Sequence, residues 1–320
     1  MRLATRHDGT PDGQLVVISA NGEAFRTISG WSNLLDAITH WNEAEPALQA
    51  AAAALAAEGG DPLDLASLSA PMPRSWQWLD GSAFNTHGEL MQIAFGLDPV
   101  DASRPLMYQG MSDRFLAPHA DVPVPDEGLG IDFEGEFGVI VDAVPMGVSS
   151  AEAAQHIRLI VQINDWSLRA IAPIEMKTGF GWVQAKPACS MAPFAVTPDE
   201  LGPAWRDGRV CMDLVVEWNG RRFGRVNGDQ MAFSLPELVA HAARTRDLVA
   251  GTIIGTGTVS NAEYAQRGSA CISEKRAIEI IAHGAPRTPF MAFGDEVAMF
   301  GLLPDERRPF GTISQKVVQA

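Results

Sequence analysis

At 320 residues, with 46% hydrophobic and 20% charged side chains, the chain is long enough for one large domain or two unequal ones and has the composition of a globular protein. Its net charge of −15 repels phosphate backbones and excludes a general nucleic-acid-binding role; an anionic substrate would need local cations to hold it. Three cysteines, Cys189, Cys211 and Cys271, lack the spacing of a metal site and suit a reducing compartment rather than a disulfide framework. The opening residues contain no secretory h-region, and the longest apolar run, residues 50–57, is too short to cross a bilayer. The expectation is a cytoplasmic protein with no membrane partner.

Residues 14–19 and 23–28 flank Asn21-Gly22, a pair suited to the positive φ angles of a type I′ turn, and predict a hairpin. Helical segments follow at 32–41 and 46–58, the second closed by Gly59-Gly60. Residues 70–105 mix apolar residues with Pro, Gly and Asp. A boundary near Pro73 separates a small N-terminal domain, 1–72, from a main domain, 73–320; assigning the mixed stretch to the first domain moves the boundary to about 104.

Residues 131–141 end in β-branched side chains and predict a strand. Side chains two apart share a face, so Asp132, Glu134 and Glu136 line one side and Phe133 and Phe137 the other. A row of carboxylates resists unpaired burial. Either water solvates the face or a cation neutralises it, and hard divalent ions such as Mg²⁺ and Ca²⁺ prefer carboxylate oxygens. Ser149 and Ser234 each begin a capping box, predicting one helix of about three turns and another reaching about residue 248. Residues 159–164 read as a strand, and 210–218 with 223–226 as a hairpin about Asn219-Gly220. Short strands with a few inserted helices make an α+β chain with mainly antiparallel sheets.

Asp165 falls at a strand end, where it can meet the acidic face; Arg169 can grip a carboxylate with two hydrogen bonds or simply pair with Asp165. Lys186 has apolar sequence neighbours and either balances a carboxylate cluster or snorkels from a loop. Residues 255–261 are glycine-rich without a dinucleotide fingerprint; their amides and the Thr258 hydroxyl offer a ligand contact or an ordinary turn. The seven histidines form no close pair or HExxH motif, which argues against zinc; His119 is the candidate general base. No nucleophile elbow is present.

In order along the chain, Tyr108-Gln109-Gly110-Met111-Ser112-Asp113, Asp132-Phe133-Glu134-Gly135-Glu136, Asn164-Asp165-Trp166-Ser167-Leu168-Arg169, Ala185-Lys186-Pro187 and Gly257-Thr258-Val259-Ser260 resemble the motifs of the fumarylacetoacetate hydrolase family. The resemblance runs from about residue 105 to the end, and the preceding region is similar to the smaller N-terminal domain of bacterial members. It implies a mainly-β, mixed β-sandwich roll with a smaller N-terminal domain, and a homodimer. It further implies a divalent metal, Mg²⁺ or else Ca²⁺ or Mn²⁺, on Glu134, Glu136 and Asp165, with Asp113 as an added ligand. Lys186 would polarise the substrate, Arg169, Thr258 and Tyr108 would position it, and His119 would be the base. The implied substrate is a β-diketone or acylpyruvate-type 2-oxo acid from aromatic-compound breakdown, cleaved by hydrolysis at a C–C bond. The alternatives are an isomerase or decarboxylase of 2-oxo acids on the same metal site, and a catalytically silent ligand-binding member.

Several positions depart from the family pattern. His119 is six residues after Asp113 where the pattern asks for seven. Phe115 and Ala172 replace a tyrosine and a glutamine. Ile272 replaces the glutamate that orients the base, and Glu274, expected on a strand, lies one step further along it.

Overall fold

The computed structural model describes residues 1–98, 101 and 103–320. Its largest element is an eleven-stranded sheet. From one edge the order is Asp61–Pro62, Ala24–Thr27, Gln14–Ile18, Arg2–Arg6, Ala195–Val196, Ile157–Asn164, Gly135–Val141, Ile253–Gly255, Trp78–Ser82 and Leu106–Gly110, with Ser190–Met191 also pairing Ile157–Asn164. The strands of the N-terminal segment extend the same sheet through Arg2 opposite Val196 and Leu3 opposite Ala195. Pairing is antiparallel except where Trp78–Ser82 runs parallel to Ile253–Gly255. A second sheet of five strands runs Arg221–Asn227, Asp213–Trp218, Glu296–Leu302, Ile313–Gln319 and Val122–Val124.

The central strands are apolar on both faces, as a sheet covered on both sides requires. Phe137, Val139 and Val141 join Leu214, Val216, Met299 and Phe310 in one core, where the two sheets pack together. Ile140, Leu159, Val161 and Ile163 point the other way, towards Leu34, Ile38, Trp41 and Leu48. The last two belong to the helix Trp41–Glu58. This is an α+β sandwich with an added helical layer. Among the described residues no helix is long and apolar enough to cross a membrane.

Local departures from the expected elements have identifiable causes. The 131–141 strand is two strands, Ile131–Asp132 and Gly135–Val141, and between them Glu134 forms an isolated bridge to Cys271. Both capping boxes form, but their helices stop early, at Ser150–Ala153 and Leu235–Ala242. A cap fixes where a helix begins and says little about its length. At Asn219-Gly220 both residues have positive φ, 51° and 70°, and Trp218 pairs with Arg221 in a two-residue hairpin. At Asn21-Gly22 only Gly22 is in that region, and Ser19 bonds to Ala24 across a longer loop. Glu274 lies not on a strand but in the first turn of the helix Ile272–His283.

Candidate active site

Three buried carboxyl groups, on Asp80, Glu136 and Asp165, offer oxygen atoms that all lie within 4.8 Å of one another. Each comes from a different part of the large sheet. Asp80 is on Trp78–Ser82, Glu136 on Gly135–Val141, and Asp165 immediately follows Ile157–Asn164. The loop after Ile253–Gly255 clasps the middle strand on both sides of Glu136: Thr256 N–H donates to Phe137 O at 2.9 Å and Val259 N–H to Gly135 O at 3.0 Å. That clasp buries Thr258 beside the cluster. Asp80 Oδ1 accepts the Gly257 N–H at 3.0 Å.

Asp165 is the best-satisfied of the three. Its Oδ2 accepts from the Tyr108 hydroxyl at 2.6 Å and from Lys186 Nζ at 2.5 Å, and its Oδ1 accepts from the Cys189 thiol at 2.8 Å. Neither Glu136 oxygen receives a hydrogen bond from any described donor. Burial, and then the neighbouring carboxylates, push both Asp80 and Glu136 well above the ordinary carboxyl range. Three buried carboxyl groups that repel one another, one of them with no hydrogen-bond donor, offer the all-oxygen set that a hard divalent cation prefers. A cation at this position would fit them.

A charge network adjoins the triad. Lys186 Nζ also donates to Glu134 Oε2 at 2.6 Å, and Arg169 Nη2 donates to Glu134 Oε1. Arg169 Nε donates to Asp132 Oδ2 at 2.8 Å. Asp132 also accepts the Ile272 and Ser273 amides at 2.7 and 2.9 Å, so it satisfies the N-terminus of the helix Ile272–His283. Burial disfavours the charged form of Lys186, but Asp165 and Glu134 outweigh it and raise the ammonium pKa. Burial would likewise raise Glu134, but Arg169 and Lys186 win and hold it ionised. Burial and the Asp165 charge drive the Tyr108 phenol upward, so it remains a donor. The Tyr108 ring meets Trp182 edge-on at 4.8 Å between centroids, and Lys186 Nζ lies 5.3 Å from the first ring and 5.4 Å from the second.

A histidine–glutamate pair completes the arrangement. The helix Asn85–Phe95 follows the Asp80 strand after Ala83 and Phe84 and carries His87, whose Nδ1 lies 2.8 Å from Glu274 Oε2. Glu274 is fully buried, and its other oxygen has no described donor. His87 is also a neighbour of Glu134.

Of the residues expected from the sequence, Glu134, Glu136, Asp165, Lys186, Arg169, Tyr108 and Thr258 gather here, but not all in the expected places. Glu134 is held between Lys186 and Arg169, and the third member of the triad is Asp80. Arg169 directs its Nε and Nη2 to Asp132 and Glu134. Asp113 is exposed in a bend outside the cluster. His119 is exposed and lines a separate surface cleft with Arg2, Phe194 and Arg308. The missed pair had a signal: His87 follows Asp80 by the seven residues that His119 and Asp113 lacked.

Two family models match the chain. The one described as fumarylacetoacetate (FAA) hydrolase C-terminal covers residues 77–318, and the one described as fumarylacetoacetase N-terminal domain 2 covers residues 1–74. A 2,4-didehydro-3-deoxy-L-rhamnonate hydrolase from Sphingomonas sp. (strain SKA58) is 28% identical over 159 residues, 49% of this chain and 53% of that protein. The chain thus spans about half the length of the curated relatives it matches. The structure of maleylpyruvate hydrolase from Sphingobium sp. SYK-6, solved with manganese(II) and pyruvate, superimposes with a TM-score of 0.67 at 18% identity, covering 100% of both chains. That of 5-carboxymethyl-2-hydroxymuconate delta-isomerase from Mycobacterium smegmatis gives 0.63 at 19% identity, covering 100% of this chain and 99% of the other. At these identities the two likenesses are of fold.

Proposed function

We propose, from the premise that the chain belongs to the fumarylacetoacetate hydrolase family, that it is a divalent-metal-dependent hydrolase cleaving a C–C bond in an acylpyruvate-type 2-oxo acid. The observation that carries this reading is the buried Asp80–Glu136–Asp165 triad, with its orphaned Glu136 carboxyl, beside a His87–Glu274 pair. Asp80, Glu136 and Asp165 would hold the cation, Mg²⁺ or Mn²⁺ by their all-oxygen chemistry. When bound, the ion supplies Lewis-acid polarisation of the oxygens of a 2-oxo acid.

The protein's own groups supply the rest. Glu274 accepts from His87 Nδ1, which leaves Nε2 as the basic nitrogen and stabilises the imidazolium formed when that atom takes a proton from water. The tautomer follows from this hydrogen bond. Lys186, held as an ammonium, supplies positive charge to substrate oxygens at the edge of the triad. Tyr108 and Cys189 donate to Asp165 and fix its carboxylate. Glu134, gripped by two cations, holds Lys186 in place.

The histidine–glutamate pair favours a reaction that needs a general base over decarboxylation, and it serves hydrolysis by activating water. The maleylpyruvate hydrolase likeness supports the substrate class. The test is a product assay on acylpyruvates with Mn²⁺. Two acids from each acylpyruvate are expected, with kcat falling about 10²–10⁴-fold in His87→Asn while Mn²⁺ affinity is kept. Carbon dioxide as the product, or full activity in His87→Asn, would overturn the reading.

A further inference from the structure

The helix Ala172–Met176 and the loop after it form a strap over Lys186, and little of that strap is packed into the core. Ile174, Phe180 and Val183 are 67%, 96% and 68% exposed. Gly179 and Gly181 have φ of 73° and 92°, so the backbone turns where ordinary side chains would strain it. Yet the strap delivers Trp182 against Tyr108 and ends one residue before Lys186. Its hold comes from Glu175. One carboxylate oxygen accepts the N–H groups of Val183 and Ala185, each at 3.0 Å, and the other accepts the N–H of Gln184 at 2.9 Å. Three consecutive backbone donors converge on one side chain, an anion-cradling backbone geometry turned inward on the chain itself. Ala185 is fixed from its other end as well, since its carbonyl accepts the Leu168 N–H at 2.8 Å.

We propose that Glu175 is a positioning residue: by clamping the amides of Val183, Gln184 and Ala185 it pins Trp182 over the Lys186 ammonium and keeps that ammonium between Glu134 and Asp165. The catalytic meaning of the clamp rests on the function proposed above; the clamp itself does not. The hydrogen bonds to Gln184, Ala185 and Val183 also hold the Glu175 carboxyl below its ordinary range, as expected of an anion that works in its charged form.

The experiment compares wild type, Glu175→Ala and Glu175→Gln by hydrogen–deuterium exchange across residues 177–189, and by the rate at which a small amine-acylating reagent modifies Lys186. In Glu175→Ala the three amides are expected to exchange on the order of tenfold faster or more, because each loses a charge-assisted acceptor, and Lys186 becomes reactive while the far sheet keeps its protection. Glu175→Gln, which keeps one good acceptor, should lie between. Exchange within twofold of wild type at 183–185 would overturn the clamp, and faster exchange with Lys186 still unreactive would overturn its positioning role. Where acylpyruvate turnover is measurable, kcat falls in step with Lys186 exposure. A protein without turnover in any form would sink the proposed function and leave the exchange result standing.

Discussion

At the scale of single residues, the triad brings together buried carboxyl groups whose mutual repulsion a bound cation would relieve. Asp80 and Glu136 are buried among carboxyl groups, so replacing one by its neutral isostere removes a charge conflict in the metal-free protein. Asp80→Asn is therefore expected to raise the melting temperature of chelator-treated protein. It should also lower Mn²⁺ affinity by more than about a hundredfold and abolish the stabilisation that added Mn²⁺ gives. Differential scanning fluorimetry with and without Mn²⁺ checks both signs at once. Much of this neighbourhood was legible in the sequence, since Glu136, Asp165, Lys186 and Tyr108 stand in ordered motifs and the structure gathers them. Asp80 and His87 were not read, because a single aspartate and a single histidine ahead of the first motif carry no pattern beyond their spacing of seven. Arg169 meets Asp132 and Glu134 rather than the Asp165 nearer to it in sequence. Asp132 and Glu134 come from a broken strand, and both turn towards the nearest cation.

At the scale of elements, close backbone approach governs the site. Gly255 lies where the Ile253–Gly255 strand passes the Trp78–Ser82 strand, and a Cβ there would fall 2.3 Å from the Trp78 ring and 2.4 Å from Asp80 Oδ1. Gly255→Ala is expected to cost about 1–3 kcal/mol of stability by overpacking and to weaken Mn²⁺ binding with it, as denaturant titration and calorimetry would show. The helix Ile272–His283 is tied down at its far end by Glu279, which accepts the Arg287 and Thr288 amides at 2.6 and 2.8 Å and the Thr288 hydroxyl at 2.7 Å. Burial would raise this carboxyl, but the Thr288 and Arg287 hydrogen bonds lower it overall. A carboxyl depressed in the folded state stabilises above its unfolded pKa, about 4.3, and loses that contribution as pH falls through the folded value. The stability gap between wild type and Glu279→Gln should accordingly be full at neutral pH and narrow below about pH 4, as urea melts across that range would reveal. Helix starts were readable here because caps are local chemistry. Helix ends and the helical placement of Glu274 were not, because the Asp132 carboxylate that satisfies the helix start lies 140 residues earlier.

At the scale of the whole molecule, one hydrogen-bonded sheet joins the two matched segments, and we place the division between them near Pro73. A fragment of residues 73–320 would lose the strand that covers Ala195–Val196 and the helix Trp41–Glu58, which shields the face of Leu159, Val161 and Ile163. Such a fragment is expected to aggregate or bind a hydrophobic dye, whereas the full chain does not. Gel filtration and dye fluorescence make the comparison. The layered α+β architecture was readable from alternating strands, but the joining of the N-terminal strands to the main sheet was not. That join rests on two residue pairs almost 200 positions apart in the chain, with no local signature.

The partnership of His87 with Glu274 spans 187 positions, and of the two strands that flank Asp80, Leu106–Gly110 follows soon after it whereas Ile253–Gly255 comes much later in the chain. During synthesis, Asp80 and His87 leave the ribosome well before the residues that complete their surroundings. A stalled polypeptide ending before residue 253 lacks one of the two strands beside Asp80 and the carboxylate that meets His87 Nδ1. Tight binding of a cation to the cluster is then expected only after Ile253–Gly255 has joined the sheet.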